Sequence, residues 1–353
     1  MIPSGQARLR AHGGHALGLA LALFCMAVHA ADAGGEGLHP RLQAGAALGS
    51  SAMTRLLLSG AASSLAIANV ETQVPFALLA CAGAGCGCDY CDTLLANKAF
   101  APVETLIFQR ILSGGCADVV GLGRGLVVDV GVNMGYFTVM SAVHGCRVLG
   151  FEPNIKPRAY AHASVDLNAV SHLVTIVAAG VDNHRGHGQM VHDAEWGIGA
   201  VAEAPSAAGP DSEVTEFPLV PLADAVREHA LLIKVDTEGH EGKVFSNASE
   251  AFFQRHGADN ILVEVKEFDT EAKRVMLYNI FIWGGFAAVY NYAEFHRHGL
   301  AEAGDVMERL TDVTDVVRSK AFHVNFADED FWFVKVELDP RPSHKLPVSP
   351  TTE

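Results

Sequence analysis

From residue 125 onward the chain alternates short apolar runs with stretches of helical spacing, and this alternation limits the possible folds more than any other feature. The runs are Gly125–Val130 (GLVVDV), Arg147–Phe151 (RVLGF), Val174–Ala178 (VTIVA), Leu231–Val235 (LLIKV) and Ile261–Val265 (ILVEV), followed by Phe286–Tyr290 (FAAVY) and Phe331–Val336 (FWFVKV). Runs this short and this apolar read as strands buried on both faces. Their alternation with helices signals βαβ units around a parallel sheet. Seven strands, with helices between the early ones, predict a doubly wound α/β sheet. Ahead of them, Val103–Leu112 (VETLIFQRIL) has helical spacing and stops at Gly114-Gly115. Residues 32–75 are rich in Ala, Gly, Ser and Leu with weak periodicity, and read as a stem or a peripheral helical segment. Ala194–Phe217, with Gly, Pro and Ser throughout, reads as a long loop. The four prolines after Leu338 mark an exposed tail.

Composition narrows the class. Of 353 residues, 50% are hydrophobic and 18% charged, which is incompatible with intrinsic disorder as the main state. Forty acidic residues against 25 Lys plus Arg leave a net charge of −15, so no basic stripe is available for a nucleic acid. Arg8 and Arg10 precede an apolar run from Ala16 to Val28, and Val28-His29-Ala30 offers a small-residue cleavage pattern. The run suits a signal-peptide core better than a membrane span. Residues 1–31 are therefore expected to be a signal peptide directing the chain to the secretory pathway. An uncleaved anchor, the one route to a membrane partner, and an organelle transit peptide are the alternatives. The remaining plan is a Cys-containing N-terminal region over 32–101, a catalytic-type domain over 102–338 and the tail over 339–353. Cys25 lies in the apolar run, whereas Cys81, Cys86, Cys88, Cys91, Cys116 and Cys146 would remain in a mature chain. The crowded CAGAGCGCDYC lacks the two separated pairs of a zinc site. Disulfides in an oxidising lumen are the expectation, zinc or free thiols the alternatives, and the sequence leaves the pairing open. The sequon Asn247-Ala248-Ser249 is near chance frequency and decides nothing.

The chemistry starts where the first strand ends, in Asp129-Val130-Gly131-Val132-Asn133-Met134-Gly135. Gly131 permits a sharp strand-to-helix turn, and Gly135 is expected to let a ligand approach the backbone. N–H groups at the following helix start suit a polar or anionic ligand. Glu152, at the end of the second strand, can accept both hydroxyls of an adenosine ribose. Two cofactor classes share these features. A dinucleotide fingerprint would need glycines at the positions of Asn133 and Tyr136, where a tyrosine would obstruct a pyrophosphate. S-adenosylmethionine, which has none, is the better fit. An ordinary βα turn capped by asparagine is the bland reading, and the placement of Glu152 counts against it.

DVGVNMGYFT (129–138), FEPN (151–154), Asn168 in DLNAV and LLIKVDTEGHE (231–241) resemble the FkbM family of S-adenosylmethionine-dependent methyltransferases over roughly Val103–Tyr292. The resemblance implies a class I methyltransferase (Rossmann-like) fold with an antiparallel last strand beside the sixth, here with an N-terminal extension. It implies methyl transfer, usually to oxygen. By matching position, Asp129, Gly131, Asn133 and Gly135 would hold the methionine end of the donor and Glu152 the ribose. Val132 replaces the more usual alanine, a change expected to be tolerated. Residues 294–330 show no resemblance.

Lys234-Val235-Asp236-Thr237-Glu238-Gly239-His240-Glu241 ends the fourth strand beside the topological switch, where open α/β sheets bind ligands. Methyl transfer requires an aligned acceptor and removal of a hydroxyl proton. Asp236 is the first candidate base and His240 the second. Glu238 has a catalytic-edge role, or with Glu241 and Asp236 a metal-ligand role. The competing reading of both glutamates is first-turn helix electrostatics, and no metal site is assigned. Lys234 faces either outward or into the acceptor pocket. Glu264 must pair or line the site, because an unpartnered buried carboxylate is costly. Asp182 serves a turn or lies near the adenine. His184, His187 and His192 read as a solvated loop. Phe281, Trp283, Phe286, Tyr290 and Tyr292 read as mainly core, with Trp283 or Tyr292 available to stack on a sugar. The resulting expectation is an S-adenosylmethionine-dependent O-methyltransferase acting on a glycan or a small metabolite. The rivals are a non-catalytic binding domain that keeps the fold and, third, a nicotinamide oxidoreductase.

Overall fold

The computed structural model describes residues 65–83, 88–116, 125–192, 201–202, 213–265, 270–286, 288–291, 308–310 and 329–335. The expected signal peptide (1–31), Cys25, Cys86, Tyr292 and the tail (339–353) lie outside these residues. No helix among the described residues is long and apolar enough to cross a membrane.

The described residues begin with an antiparallel hairpin, whose β1 (Leu65–Val70) falls inside the stretch 32–75 expected to be a stem or helix and whose β2 (Phe76–Cys81) lies just beyond it. Helix α1 (Asp89–Asn97) follows, then α2 (Pro102–Gly115), which starts with proline at its first turn and covers the helix expected at 103–112. The seven expected strands all form: β3 (Leu126–Val130), β4 (Arg147–Phe151), β5 (Val174–Val177), β10 (Ala230–Val235), β11 (Ala258–Val265), β12 (Ala288–Asn291) and β14 (Glu329–Val334). Between them run α3 (Tyr136–Val143), α4 (Ile155–Leu167), the short α5 (Leu222–Ala225), α6 (Glu241–Val244), α7 (Glu250–Arg255) and α8 (Thr270–Gly284).

The main sheet has eight strands rather than seven, in the order β13-β12-β14-β11-β10-β3-β4-β5, because β13 (Glu308–Leu310) adds to the outer edge of β12. From β5 to β11 the strands are parallel, and β14 inserts antiparallel between β11 and β12. A separate four-stranded sheet, β6-β9-β7-β8, is built from β6 (Gly180–Asp182), β7 (Gly186–His192), β8 (Val201–Ala202) and β9 (Glu213–Pro221). This sheet corrects two expectations. The histidine-containing stretch is mostly the strand β7, and part of the long loop is strand. In β9 the burial of Phe217 and Leu219 alternates with exposed Glu216 and Pro218, a period that the nearby Gly, Ser and Pro residues obscure.

Strands β3, β10, β11 and β14 send alternate residues into two cores. Val127, Leu232, Leu262 and Trp332 join the hairpin, α2, α3 and α4 on one face. Val128, Ile233, Ile261 and Phe333 join α5, α7 and α8 on the other, where Phe281 and Phe286 are buried and Trp283 packs at the edge. Asp129 and Lys234 continue the first alternation and are cross-strand partners, so two ionisable groups share the face covered by the N-terminal segment. Disulfides join Cys88 to Cys91 and Cys116 to Cys146, and Cys81 is also disulfide-bonded.

Candidate active site

The loop after β3 turns back on the end of β4. Gly131 N–H and Val132 N–H both donate to the Phe151 carbonyl, at 3.0 and 3.1 Å. Gly131 has φ +89°, and a Cβ there would lie 1.8 Å from the Asp236 carbonyl oxygen. Glycine is required because the loop after β10 passes against this backbone. Gly135 takes φ +93°, a conformation that favours glycine, and a Cβ there would also sit 3.1 Å from Ala161 of α4. Asn133 takes φ +51°, a conformation asparagine tolerates, and its side chain is exposed. Val132 is buried over Gly150 of β4, whose missing side chain leaves room for the extra bulk.

Glu152 joins the two motifs. One carboxylate oxygen accepts Asn133 N–H and the other Asn154 N–H, each at 2.8 Å. Arg158 donates to the carbonyls of Glu152 and Pro153 from below. Burial pushes the Glu152 carboxyl up to about 7, although these two N–H groups favour its ionised form. Each oxygen retains a lone pair for a further donor.

Asp129 is 1% exposed. Its Oδ2 accepts from Thr138 Oγ1 at 2.6 Å, while Oδ1 is buried without a partner. Burial raises its pKa, and the Lys234 ammonium and the Thr138 hydroxyl oppose that rise. Lys234 points inward, which resolves its direction. Its Nζ donates to Asp236 Oδ2 at 2.9 Å and lies 5.0 Å from the Phe137 ring centre. Burial disfavours the ammonium, but Asp236 and Asp129 outweigh it and hold the lysine charged. Lys234 therefore cannot act as a base. Glu264 and Asp330 are cross-strand partners two positions further along β11 and β14, and Glu104 of α2 hydrogen-bonds Asp330. Burial raises both Glu104 and Asp330, with the neighbouring carboxylates adding to the effect at Asp330, so this pair favours a shared proton.

The turn after β10 carries the expected catalytic group. Asp236 stays beside Lys234 and Asp129. Glu238 and Gly239 both take positive φ, at 57° and 100°, and reverse the chain. Glu241 is fully buried and holds this turn. Its Oε1 accepts Thr237 N–H and Oγ1, each at 2.9 Å, and Gly239 N–H at 3.1 Å. Its other oxygen, Oε2, is buried without a hydrogen-bond partner, and no three His, Cys, Asp or Glu side chains among the described residues converge as metal ligands. His240 meets β6, its Nε2 2.7 Å from Asp182 Oδ2. Burial would raise Asp182, but its bonds to His240 and Asn183 and the nearby His184 lower it. Asp182 thus ties the turn to the small sheet. It is a network residue and no simple turn cap.

The N-terminal segment contributes a roof that sequence reasoning left unassigned. Tyr136, whose size counted against a dinucleotide, turns to this roof: its hydroxyl accepts Phe100 N–H at 3.3 Å and lies 3.0 Å from Thr105 Oγ1. Asn168 brackets the backbone of Ala77 with two hydrogen bonds, and Ser164 accepts Leu79 N–H. Cys91 and Cys88 place their sulfurs 3.5 and 3.9 Å from Met134 Sδ in the β3 loop.

A family model described as the methyltransferase FkbM domain matches residues 129–308, beginning at Asp129 and running past the end of the resemblance read from the motifs. Among solved structures, the chain is similar to the methyltransferase FkbM from Methylobacillus flagellatus, at 15% identity over 61% of this chain and 45% of that one, with a TM-score of 0.35. It therefore spans less than half of that protein. It is also similar to a SAM-dependent methyltransferase from Agrobacterium tumefaciens (8% identity, 78% and 72% covered, TM-score 0.40) and to a SAM-dependent O-methyltransferase from Thermotoga maritima (10%, 69% and 70%, 0.35). No curated protein matches. With its motifs inside the matched segment and its sheet in the expected strand order, the chain belongs to the FkbM methyltransferase family.

Proposed function

We propose that this chain binds S-adenosylmethionine over the β3 loop and methylates a hydroxyl oxygen, on a glycan or a small metabolite, with Asp236 as the proton acceptor. The observation that carries the reading is Glu152: a buried carboxylate fastened to the backbone of Asn133 and Asn154, with capacity left for two vicinal hydroxyls. The orphaned Oδ1 of Asp129 fits an ammonium group at the other end of the same loop. The bound donor supplies an electrophilic methyl on a sulfonium. The chain itself must orient the acceptor and take its proton. Lys234 fixes the Asp236 carboxylate at 2.9 Å, and Glu264, Asp330 and Glu104 provide further acceptors for hydroxyl donors around it. His240, bonded to Asp182, positions the turn that carries Asp236, and Glu238 helps form that turn's reversal.

A polyhydroxylated acceptor suits a pocket rich in carboxylates. The disulfides Cys88–Cys91 and Cys116–Cys146 support an oxidising compartment, consistent with the secretory route proposed from the N-terminus. The test is calorimetric binding and thermal shift with S-adenosylhomocysteine, with Asp129→Ala and NAD as controls. Saturable binding that is lost in Asp129→Ala supports the donor site. A stabilisation of about 2.7 kcal/mol is expected at a hundredfold excess of ligand over Kd. A folded protein that binds no S-adenosylhomocysteine overturns the reading in favour of a non-catalytic binding domain. Binding of NAD alone favours an oxidoreductase.

A further inference from the structure

Five buried side-chain polar atoms among the described residues lack a hydrogen-bond partner, and two of them, Asp129 Oδ1 and the hydroxyl of Tyr90, belong to the strand before the β3 loop and to the helix clamped onto that loop. Leaving such atoms unsatisfied costs about 1–3 kcal/mol each, so each calls for a reason. Asp129 comes from the first strand of the family segment. Tyr90 comes from α1, which precedes residue 129 and lies outside the family match. The two groups nevertheless interact electrostatically.

Tyr90 is held by an unusual amount of local structure. It lies between Cys88 and Cys91, whose disulfide closes the first turn of α1, and Cys91 N–H donates to Cys88 Sγ at 3.1 Å. The same two sulfurs rest on Met134, which is 2% exposed and belongs to the β3 loop. On its other side the Tyr90 ring packs edge-on against Phe100 at 4.4 Å, and Phe100 packs against Tyr136 at 5.9 Å. The disulfide therefore clamps the tyrosine to the loop that carries Asp129, and the aromatic chain fixes its ring.

We propose that Tyr90 is a donor-binding residue that recognises the amino-acid end of the methyl donor, its hydroxyl donating to the ligand carboxylate while Asp129 Oδ1 accepts from the ligand ammonium. The inference rests on the donor-site reading above and assigns one of its contacts to the disulfide-bearing N-terminal segment. A zwitterionic α-amino acid group satisfies both orphans at once, with a donor for the acceptor and an acceptor for the donor. A neutral hydroxyl can also bridge the two, but without the charge that strengthens both hydrogen bonds of the zwitterion.

The test compares two ligands on the full chain with its disulfides intact: S-adenosylhomocysteine, which has the amino-acid end, and 5′-methylthioadenosine, which lacks it. Tyr90→Phe keeps the ring and its contact with Phe100. It should weaken S-adenosylhomocysteine about tenfold while leaving methylthioadenosine within about twofold of the wild type. Unchanged affinity for both ligands in Tyr90→Phe overturns the inference and leaves the donor site standing. Equal weakening of both also overturns it, because Tyr90 would then act through the shape of the loop. A wild-type protein that binds neither ligand overturns the donor site and this inference together.

Discussion

Glu152 makes the donor site sensitive to pH in a direction that can be worked out in advance. Its carboxyl is moved from an ordinary 4.5 to about 7, chiefly by burial. Ribose hydroxyls donate to a carboxylate and gain little from a carboxylic acid, so the ionised form is the binding form. At pH 6 roughly a tenth of the groups are ionised, and by pH 8 about nine-tenths are. Affinity for an adenosine ligand should therefore rise about tenfold from pH 6 to its high-pH limit and level off above pH 8. Fold stability moves the opposite way. With the folded pKa raised, this contribution is complete below about 4.5 and is lost as pH rises through 7, at a cost of roughly 3 kcal/mol. Buried Asp129, Glu104 and Asp330 are raised as well and push stability in the same direction, so binding is the cleaner measurement. The assay is calorimetric titration with 5′-methylthioadenosine from pH 5.5 to 8.5, since that ligand has no amino-acid end to engage Asp129. In Glu152→Gln the affinity should be low and independent of pH, because an amide offers one acceptor where the loop presents two N–H donors. A wild-type affinity that stays flat over this range, or a slope that persists in Glu152→Gln, refutes the assignment of the ribose to Glu152.

Two further predictions concern how the loop is built. A Cβ at Gly150 would lie 2.4 Å from Val132 Cγ2, so Gly150→Ala should cost about 1–3 kcal/mol by overpacking. Val132→Ala in the same chain should recover much of that cost, and denaturant unfolding of the two single variants and the double variant reads the coupling directly. Additive losses would mean that the two side chains do not compete for the space. Cys116–Cys146 closes a loop of 30 residues in sequence separation, from the end of α2 to the start of β4. Replacing both cysteines with serine should cost about 3–4 kcal/mol of global stability, measured by urea unfolding under non-reducing conditions.

The proposed donor side was legible in the sequence because it is local. Asp129, Gly131 and Asn133 sit within one strand-to-helix turn, and Glu152 ends the next strand. Periodicity that fixed β3 and β4 therefore also fixed their relative places, and Glu152 meets Asn133 as adjacent parallel strands require. Local pattern did not say what presses on the glycines. Gly131 answers to the Asp236 carbonyl from β10 and Gly135 to Ala161 of α4, contacts between elements that no turn signature encodes. Lys234 is the intermediate case. Its inward direction follows once Leu232 is assigned to the same core as Val127, because alternation then puts Lys234 beside Asp129. The proposed acceptor side was legible only in part. Glu264 was named from the sequence, but Glu104 and Asp330 come from α2 and β14, and β14 reaches Glu264 only by inserting antiparallel between β11 and β12. The N-terminal hairpin, whose first strand lies in the stretch read as a weakly periodic stem, and α1 with its disulfide pack on this face from outside the family segment. The proposed donor contacts thus lie largely in contiguous motifs inside the matched segment, whereas two of the proposed acceptor-side carboxylates, Glu104 and Asp330, lie outside it. Substitutions at Glu104 and Asp330 should therefore change which acceptor is methylated before they change how the donor is held, and donor affinity measured beside acceptor turnover in Glu104→Gln and Asp330→Asn would separate the two.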